Sequence, residues 1–158
     1  MKTATISELQ KELVTRSPKE LTALCARLAK YKKENKELLT YLLFEAHDEK
    51  QYMESVKEQA DVLFDEMNRS NNYLIKKSLR KVLRFINKHI KYSGIKQTEL
   101  ELRLYFCNKI KSERIPITST TVLSNLFQRE IEKIKKTYSQ LHEDLQYDYK
   151  GEVENFAP

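Results

Sequence analysis

Glycine, proline and tryptophan are nearly missing from this chain: it has 2 Gly, 3 Pro and no Trp in 158 residues. Glycine and proline punctuate turns and strands, so their scarcity argues for helices joined by few loops. Two glycines also cannot build a phosphate-cradling loop, and neither a G-x-G-x-x-G nor a P-loop pattern occurs. No apolar run approaches 18 residues, so no membrane span is expected. The start, Met1-Lys2-Thr3-Ala4-Thr5-Ile6, leads into a charged helix rather than an apolar secretory stretch. Cysteine is scarce too. Cys25 and Cys107 each sit in an apolar helical setting, which predicts two buried free thiols in a reducing compartment and a cytoplasmic protein.

One further absence is local. Between Met67 and Thr98 there is no Asp or Glu, while Arg69, Lys76, Lys77, Arg80, Lys81, Arg84, Lys88, Lys91 and Lys96 all fall there. This region centres on Tyr73–Tyr92, the clearest amphipathic pattern in the chain. On a helical wheel Ile75, Leu79, Val82, Leu83, Ile86 and Ile90 fall within an arc of roughly 100°. Lys76, Lys77, Arg80, Lys81, Arg84, Lys88 and Lys91 occupy a separate arc of roughly 140°. The segment therefore reads as a helix with one apolar half and one cationic half, closed by Gly94 as its C-cap.

What is present elsewhere supports helices throughout. Charged residues make up 33% of the chain and apolar residues 40%, enough of the latter to bury a core. Thr5/Glu8 and Ser17-Pro18-Lys19-Glu20 have capping-box spacing and predict helices over about 6–15 and 18–31, the second burying Leu21, Leu24, Cys25 and Leu28. Asn35 is the expected cap of a third helix with Leu38, Leu39, Leu42, Leu43 and Ala46 inward. A fourth, about 49–68, places Met53, Val56, Ala60, Leu63 and Met67 on one seam. Thr98 and Glu101 predict the start of a sixth helix over about 99–112, although Leu100, Leu102, Leu104 and Phe106 alternate as a strand would. After a loop at 113–118, Ser119 is the expected cap of a long seventh helix to about Gln146, with Leu123, Phe127, Ile131, Ile134, Tyr138, Leu141 and Leu145 on its seam.

These readings predict an all-α protein of about seven helices, an irregular multi-helix bundle or a short α-solenoid of antiparallel hairpins. One domain is expected over 1–147, followed by a loose acidic tail over 148–158. No fixed repeat period is found.

Chemistry is sparsely signalled. His47, His89 and His142 belong to no HExxH or Glu-x-x-His pattern, so no metal or other cofactor is expected. His89 lies on the edge of the apolar arc and reads as a packed, hydrogen-bonded side chain. Neither cysteine has a base near it in sequence. The net charge of +6 admits nucleic acid or an anionic surface as partner. Two features carry a functional reading. The cationic face Lys76, Lys77, Arg80, Lys81, Arg84, Lys88 and Lys91 is a candidate anionic-partner surface, with Tyr73 and Tyr92 placed to stack on bases. The seam residues Ile134, Tyr138, Leu141 and Leu145 are a candidate partner or homodimer seam, and Ile117, Val122, Leu126 and Phe156 are the apolar residues where an uncovered patch would show.

Against the first stands a plain alternative. Glu45–Glu66 holds eight acids and two lysines, a net of −6, so the neighbouring fourth helix and the acids of the C-terminal stretch could neutralise the stripe. The expected function is a non-catalytic helical interaction module with a protein partner. The second reading is binding of an RNA or DNA backbone by residues 73–92. The third is an enzyme whose site assembles only in three dimensions.

Overall fold

The computed structural model describes residues 1–156, and these are α-helical with no strand. Eight α-helices run in order as α1 Ile6–Val14, α2 Pro18–Tyr31, α3 Lys33–Thr40, α4 Glu49–Asp65, α5 Asn72–Ser93, α6 Lys96–Ser112, α7 Thr121–Ser139 and α8 Glu143–Glu154, with a π-helical turn at Tyr41–Glu45. Where one domain over 1–147 is expected, the contacts divide the chain into two compact units, Met1–Phe44 and Glu45–Pro158.

The first unit is held by local interactions. Both expected capping boxes form: the Glu8 amide donates to the Thr5 hydroxyl at 3.3 Å and the Thr5 amide donates to the Glu8 carboxylate at 2.7 Å. Ser17 and Glu20 repeat the exchange at 3.3 and 2.8 Å. α2 and α3 pack as a hairpin. Asn35 does not cap α3, which begins at Lys33 after an uncapped Lys32. Its side-chain amide instead donates back to the Leu28 carbonyl at 2.9 Å, tying the two helices across their turn.

Burial departs from expectation here. Not one residue of α1, α2 or α3 is buried. Leu24 is 42% and Leu28 61% exposed, and Cys25 is exposed rather than a buried thiol. Caps contribute about 1 kcal/mol each, whereas ordering a residue costs about 1–2 kcal/mol of backbone entropy. Caps alone do not close that gap.

The second unit has a conventional core. α6 lies at its centre and touches α4, α5, α7 and α8. Contacts made by one helix with all the others describe a bundle, since solenoid elements meet only their neighbours. This arrangement explains the strand-like alternation of α6. Leu100, Leu102, Leu104, Phe106, Cys107 and Ile110 are all buried because four helices cover most of its circumference and leave only a narrow polar strip through Glu101, Tyr105, Asn108 and Ser112, so the apolar residues are not confined to one stripe. Its expected capping box does not form. The helix starts at Lys96, and the Thr98 hydroxyl donates instead to Glu49 of α4.

The long seventh helix is two helices. α7, capped by Thr120 rather than Ser119, ends at Ser139, and His142 opens α8. α8 reaches Glu154, so most of the segment read as a loose tail is helical, and Val153 and Phe156 are buried. Phe156 packs on Phe127 with ring centroids 6.3 Å apart, and Lys111 Nζ lies 4.1 Å from its ring. The apolar residues near the C-terminus anchor it, which a reading of its polar composition misses. Residues 157 and 158 of the expected tail lie outside those described.

A buried charge cluster joins three helices. Arg103 of α6, only 7% exposed, donates to Glu130 of α7 at 2.7 Å, to Glu99 at 2.9 and 3.1 Å, and to Asn87 of α5 at 3.2 Å. Lys133 donates to the second Glu130 oxygen at 2.6 Å. Removing one member of such a pair leaves a buried charge uncompensated. Arg103→Ala is expected to lower stability by about 3–5 kcal/mol, read by denaturant melts of the full chain. A loss below about 1 kcal/mol would place the cluster among weak surface pairs.

Acid sensitivity follows from two carboxylates. At Asp61 burial pushes the pKa up, but hydrogen bonds from Lys109 and Tyr105 outweigh it and hold it below the usual value. At Glu99 burial also pushes up and is outweighed by Lys96 and Arg103. A folded-state pKa below that of the unfolded chain gives stability that is complete above about pH 5 and lost as pH falls through the folded value. The melting temperature should therefore fall between about pH 5 and pH 3, and less steeply in Asp61→Asn.

Candidate anionic-partner face

α5 is built to show a charged side. Asn71 caps it, accepting from the Leu74 amide at 2.9 Å, and Gly94 ends it at φ 68°, a left-handed conformation that a side chain would strain. Its length of 22 residues lets Ile75, Leu79, Val82, Ile86 and Ile90 form one buried seam. Burying each side chain of that size contributes about 1.5–3 kcal/mol, enough to fix the rotation of the helix. Rotation about that seam turns the cations outward. Lys77, Arg80, Lys81, Arg84 and Lys91 are exposed, while Lys76 and Lys88 are half-buried along their stems.

Tyr73, Lys76, Lys77, Arg80, Leu83, Arg84 and Asn87 line a shallow groove of about 410 Å³. Lys76 Nζ lies 5.1 Å from the Tyr73 ring centroid, and Lys88 Nζ 6.0 Å from that of Phe85. Asn87, at the end of the groove, is held by Arg103, so the floor of the face is tied to the charge cluster below it.

The acids of α4 leave most of this face alone. α4 and α5 are neighbours, and Lys81 pairs with Glu66, the C-cap of α4, at 3.6 Å, with both side chains more than half exposed. α4 spends its charge elsewhere. Glu54 pairs with Lys57 at 2.8 Å, Lys57 with Glu101 of α6 at 3.4 Å, and Asp61 with Lys109 of α6 at 2.7 Å. Tyr105 of α6 donates to Asp61 at 2.7 Å, and Glu49 accepts from Ser93 and Thr98. The acids of the C-terminal helix do not reach the stripe either. Among the described residues no ion pair involves Lys76, Lys77, Arg80, Arg84 or Lys91.

The second candidate surface is rearranged by the break after Ser139. Ile134 and Leu141 are buried, and Tyr138 and Leu145 half-buried. The Tyr138 hydroxyl donates to the Gln146 carbonyl at 2.9 Å, and the Gln146 amide donates to the Leu141 carbonyl at 2.9 Å. Tyr138 and Leu141 thus lie at the α7–α8 turn, Ile134 within α7 and Leu145 on α8, so the four do not form one straight seam. Of the residues near it, Ile117 and Leu126 are half-buried, Phe156 is buried, and Val122 is 48% exposed.

Other chemistry-bearing side chains are engaged structurally. His89 Nδ1 lies 2.8 Å from the Tyr52 hydroxyl, and its ring packs on Phe85 and Tyr92 at centroid distances of 4.5 and 5.6 Å. That contact holds Tyr92 in the bundle, so of the two tyrosines proposed for stacking only Tyr73, 64% exposed, stands clear. His47 lies in the turn before α4 and His142 caps α8. Among the described residues no three His, Cys, Asp or Glu side chains are grouped to hold a metal ion. A polar pocket of about 470 Å³ lined by Lys57, Glu101, Tyr105, Lys109 and Tyr149 is internally paired. Tyr149 donates to Glu101, and burial, reinforced by that bond, pushes its pKa up to about 12.

No protein-family model, no curated protein and no solved structure matches the chain. No described helix is long and apolar enough to cross a membrane.

The two cysteines differ sharply. Burial, with Glu130 nearby, pushes the Cys107 pKa up to about 12, so almost none of it is thiolate at neutral pH. Cys25 is exposed. One thiol per chain is expected to react with a colorimetric thiol reagent in native buffer and two in denaturant; rapid reaction of both in native buffer would contradict the burial of Cys107.

Proposed function

We propose that the protein is a non-catalytic interaction module whose contact surface is the cationic face of α5, and that this face binds the phosphate backbone of nucleic acid. The observation that carries the reading is the set of five cations, Lys76, Lys77, Arg80, Arg84 and Lys91, that stand on one helix face without an ion pair among the described residues.

From Lys76 to Lys91 the helix rises about 22 Å, which matches about six phosphates along one strand. Like charges at i, i+4 such as Lys76, Arg80 and Arg84 cost a few tenths of a kcal/mol per pair, a cost that an anionic surface across them would remove. Tyr73 at the end of the groove offers a ring on which an unpaired base can stack. The ligands are points of charge rather than an aligned set of base-reading side chains, so affinity with little sequence preference is expected. A protein with an acidic surface is the second reading, favoured by the same free charges and by the half-buried Leu83 among them.

The test is binding to random single- and double-stranded pools as salt rises from about 50 to 200 mM. Five phosphate contacts give a slope of about −4 in log affinity against log salt. Arg80→Glu with Arg84→Glu should abolish binding while the melting temperature stays within a degree or two, because neither arginine has an ion pair among the described residues. Absence of binding at the low end, or unchanged binding by the double variant, would remove the nucleic-acid reading and leave the acidic protein surface.

A further inference from the structure

The groove on α5 has a one-sided chemistry. Tyr73, Lys76, Arg80, Arg84 and Asn87 follow one another along it at steps of three or four residues, with Leu83 beside Arg84, so they share one helix face. Lysine and arginine donate hydrogen bonds and accept none. Asn87 carries both kinds of group, but Arg103 decides which one is spent. A guanidinium can only donate, so Asn87 turns its Oδ1 to Arg103 Nη1 at 3.2 Å and keeps its Nδ2 amide for a further acceptor. No Asp or Glu lines the groove. Its polar lining therefore calls for a ligand rich in acceptors. The rest of the lining gains nothing from a phosphate. Tyr73 stands 64% exposed with Lys76 Nζ 5.1 Å from its ring centroid, and half-buried Leu83 sets an apolar patch among the cations.

We propose that the occupant of this groove is an unpaired nucleotide, so that α5 takes single-stranded nucleic acid in preference to duplex. The inference rests on the nucleic-acid reading above and adds the form of the strand. Away from its ends a duplex has every base face stacked on a neighbour, so Tyr73 and Leu83 gain no contact from it. A single strand offers phosphates to the cations, a free base face to Tyr73 and Leu83, and a base or phosphate acceptor to Asn87. Stacking of one base on an aromatic side chain is worth about five- to a hundred-fold in affinity. The sign of the preference separates this from backbone binding alone. Phosphates are denser along a duplex, so a face that reads only backbone binds duplex at least as tightly as a single strand.

The full chain is titrated at about 50 mM salt with a mixed pyrimidine strand, with that strand paired to its complement, and with an abasic strand of the same length. The pyrimidine strand should bind about ten-fold or more tighter than either of the others, a comparison that needs no variant. Tyr73→Ala should remove most of that preference, and Tyr73→Phe, which keeps a ring, should retain it. Duplex bound as tightly as the pyrimidine strand, or an abasic strand bound equally well, overturns the inference and leaves backbone binding standing. A preference undiminished in Tyr73→Ala puts the base on some other surface and overturns it too. Failure of all three probes to bind removes the nucleic-acid reading itself.

Discussion

Arg103 sets a full positive charge inside the second unit, and the packing of α5, α6 and α7 follows from how that charge is answered. A buried guanidinium is tolerated only with its donors filled. Glu130 supplies a carboxylate from α7, Glu99 a second from one turn back on α6, and Asn87 a carbonyl from α5. Each partner is a distance constraint between helices, in a core otherwise made of interchangeable aliphatic contacts. Apolar burial supplies most of the stabilisation, but it does not by itself choose one helix rotation over its neighbour; directional hydrogen bonds do. Asn87 carries that constraint to the surface, because it is both a ligand of Arg103 and a wall of the cationic groove. The orientation of α5, and so of its cations, is set from the inside.

The distribution of the acids of α4 is the second determinant. Read along the chain, α4 and α5 are adjacent helices of opposite charge, and pairing between them is the natural expectation. α6 intervenes chemically. It presents Glu101, Tyr105 and Lys109 to α4, and the resulting contacts are better sheltered than Lys81–Glu66, which is more than half exposed on both sides. Partly buried pairs are screened less than exposed ones, so they take the available partners. Of the α4 acids, Asp61 pairs with Lys109 and Glu49 accepts from Thr98, both of α6, and Lys76, Lys77, Arg80, Arg84 and Lys91 have no ion pair among the described residues.

Periodicity made α5 legible: its seam, its cap at Gly94 and its cationic side all follow from the order of residues. The first two capping boxes were equally readable, since they involve side chains three residues apart. What could not be read is whatever depends on the third dimension. The alternation of Leu100, Leu102, Leu104 and Phe106 looks like a strand because a helix covered by four others keeps only a narrow polar strip. Thr98 looks like a cap, but a carboxylate from α4 competes for its hydroxyl. The break at residues 140–142 is invisible to a seam count, because Leu141 and Leu145 continue the spacing of α7 across a turn. The polar C-terminus hides Val153 and Phe156, two side chains sufficient to anchor it. The exposure of Leu24 and Leu28 was equally hidden, because an amphipathic pattern states that a face must be covered without naming the cover.

Stability alone does not account for the surface of α5. Its buried seam would hold with a mixed-charge exterior, and replacing some cations with acids would relieve the repulsion among Lys76, Arg80 and Arg84. Among the described residues Lys76, Arg80 and Arg84 bear that cost without recovering it in ion pairs. The first unit has the complementary imbalance: α1 and α2 carry N-terminal capping boxes, yet none of their apolar residues is fully buried. In one case charge is left without an opposite and in the other apolar area without a cover. The proposed interaction module would answer the charge imbalance, because an anionic partner across α5 supplies the acids that the fold does not.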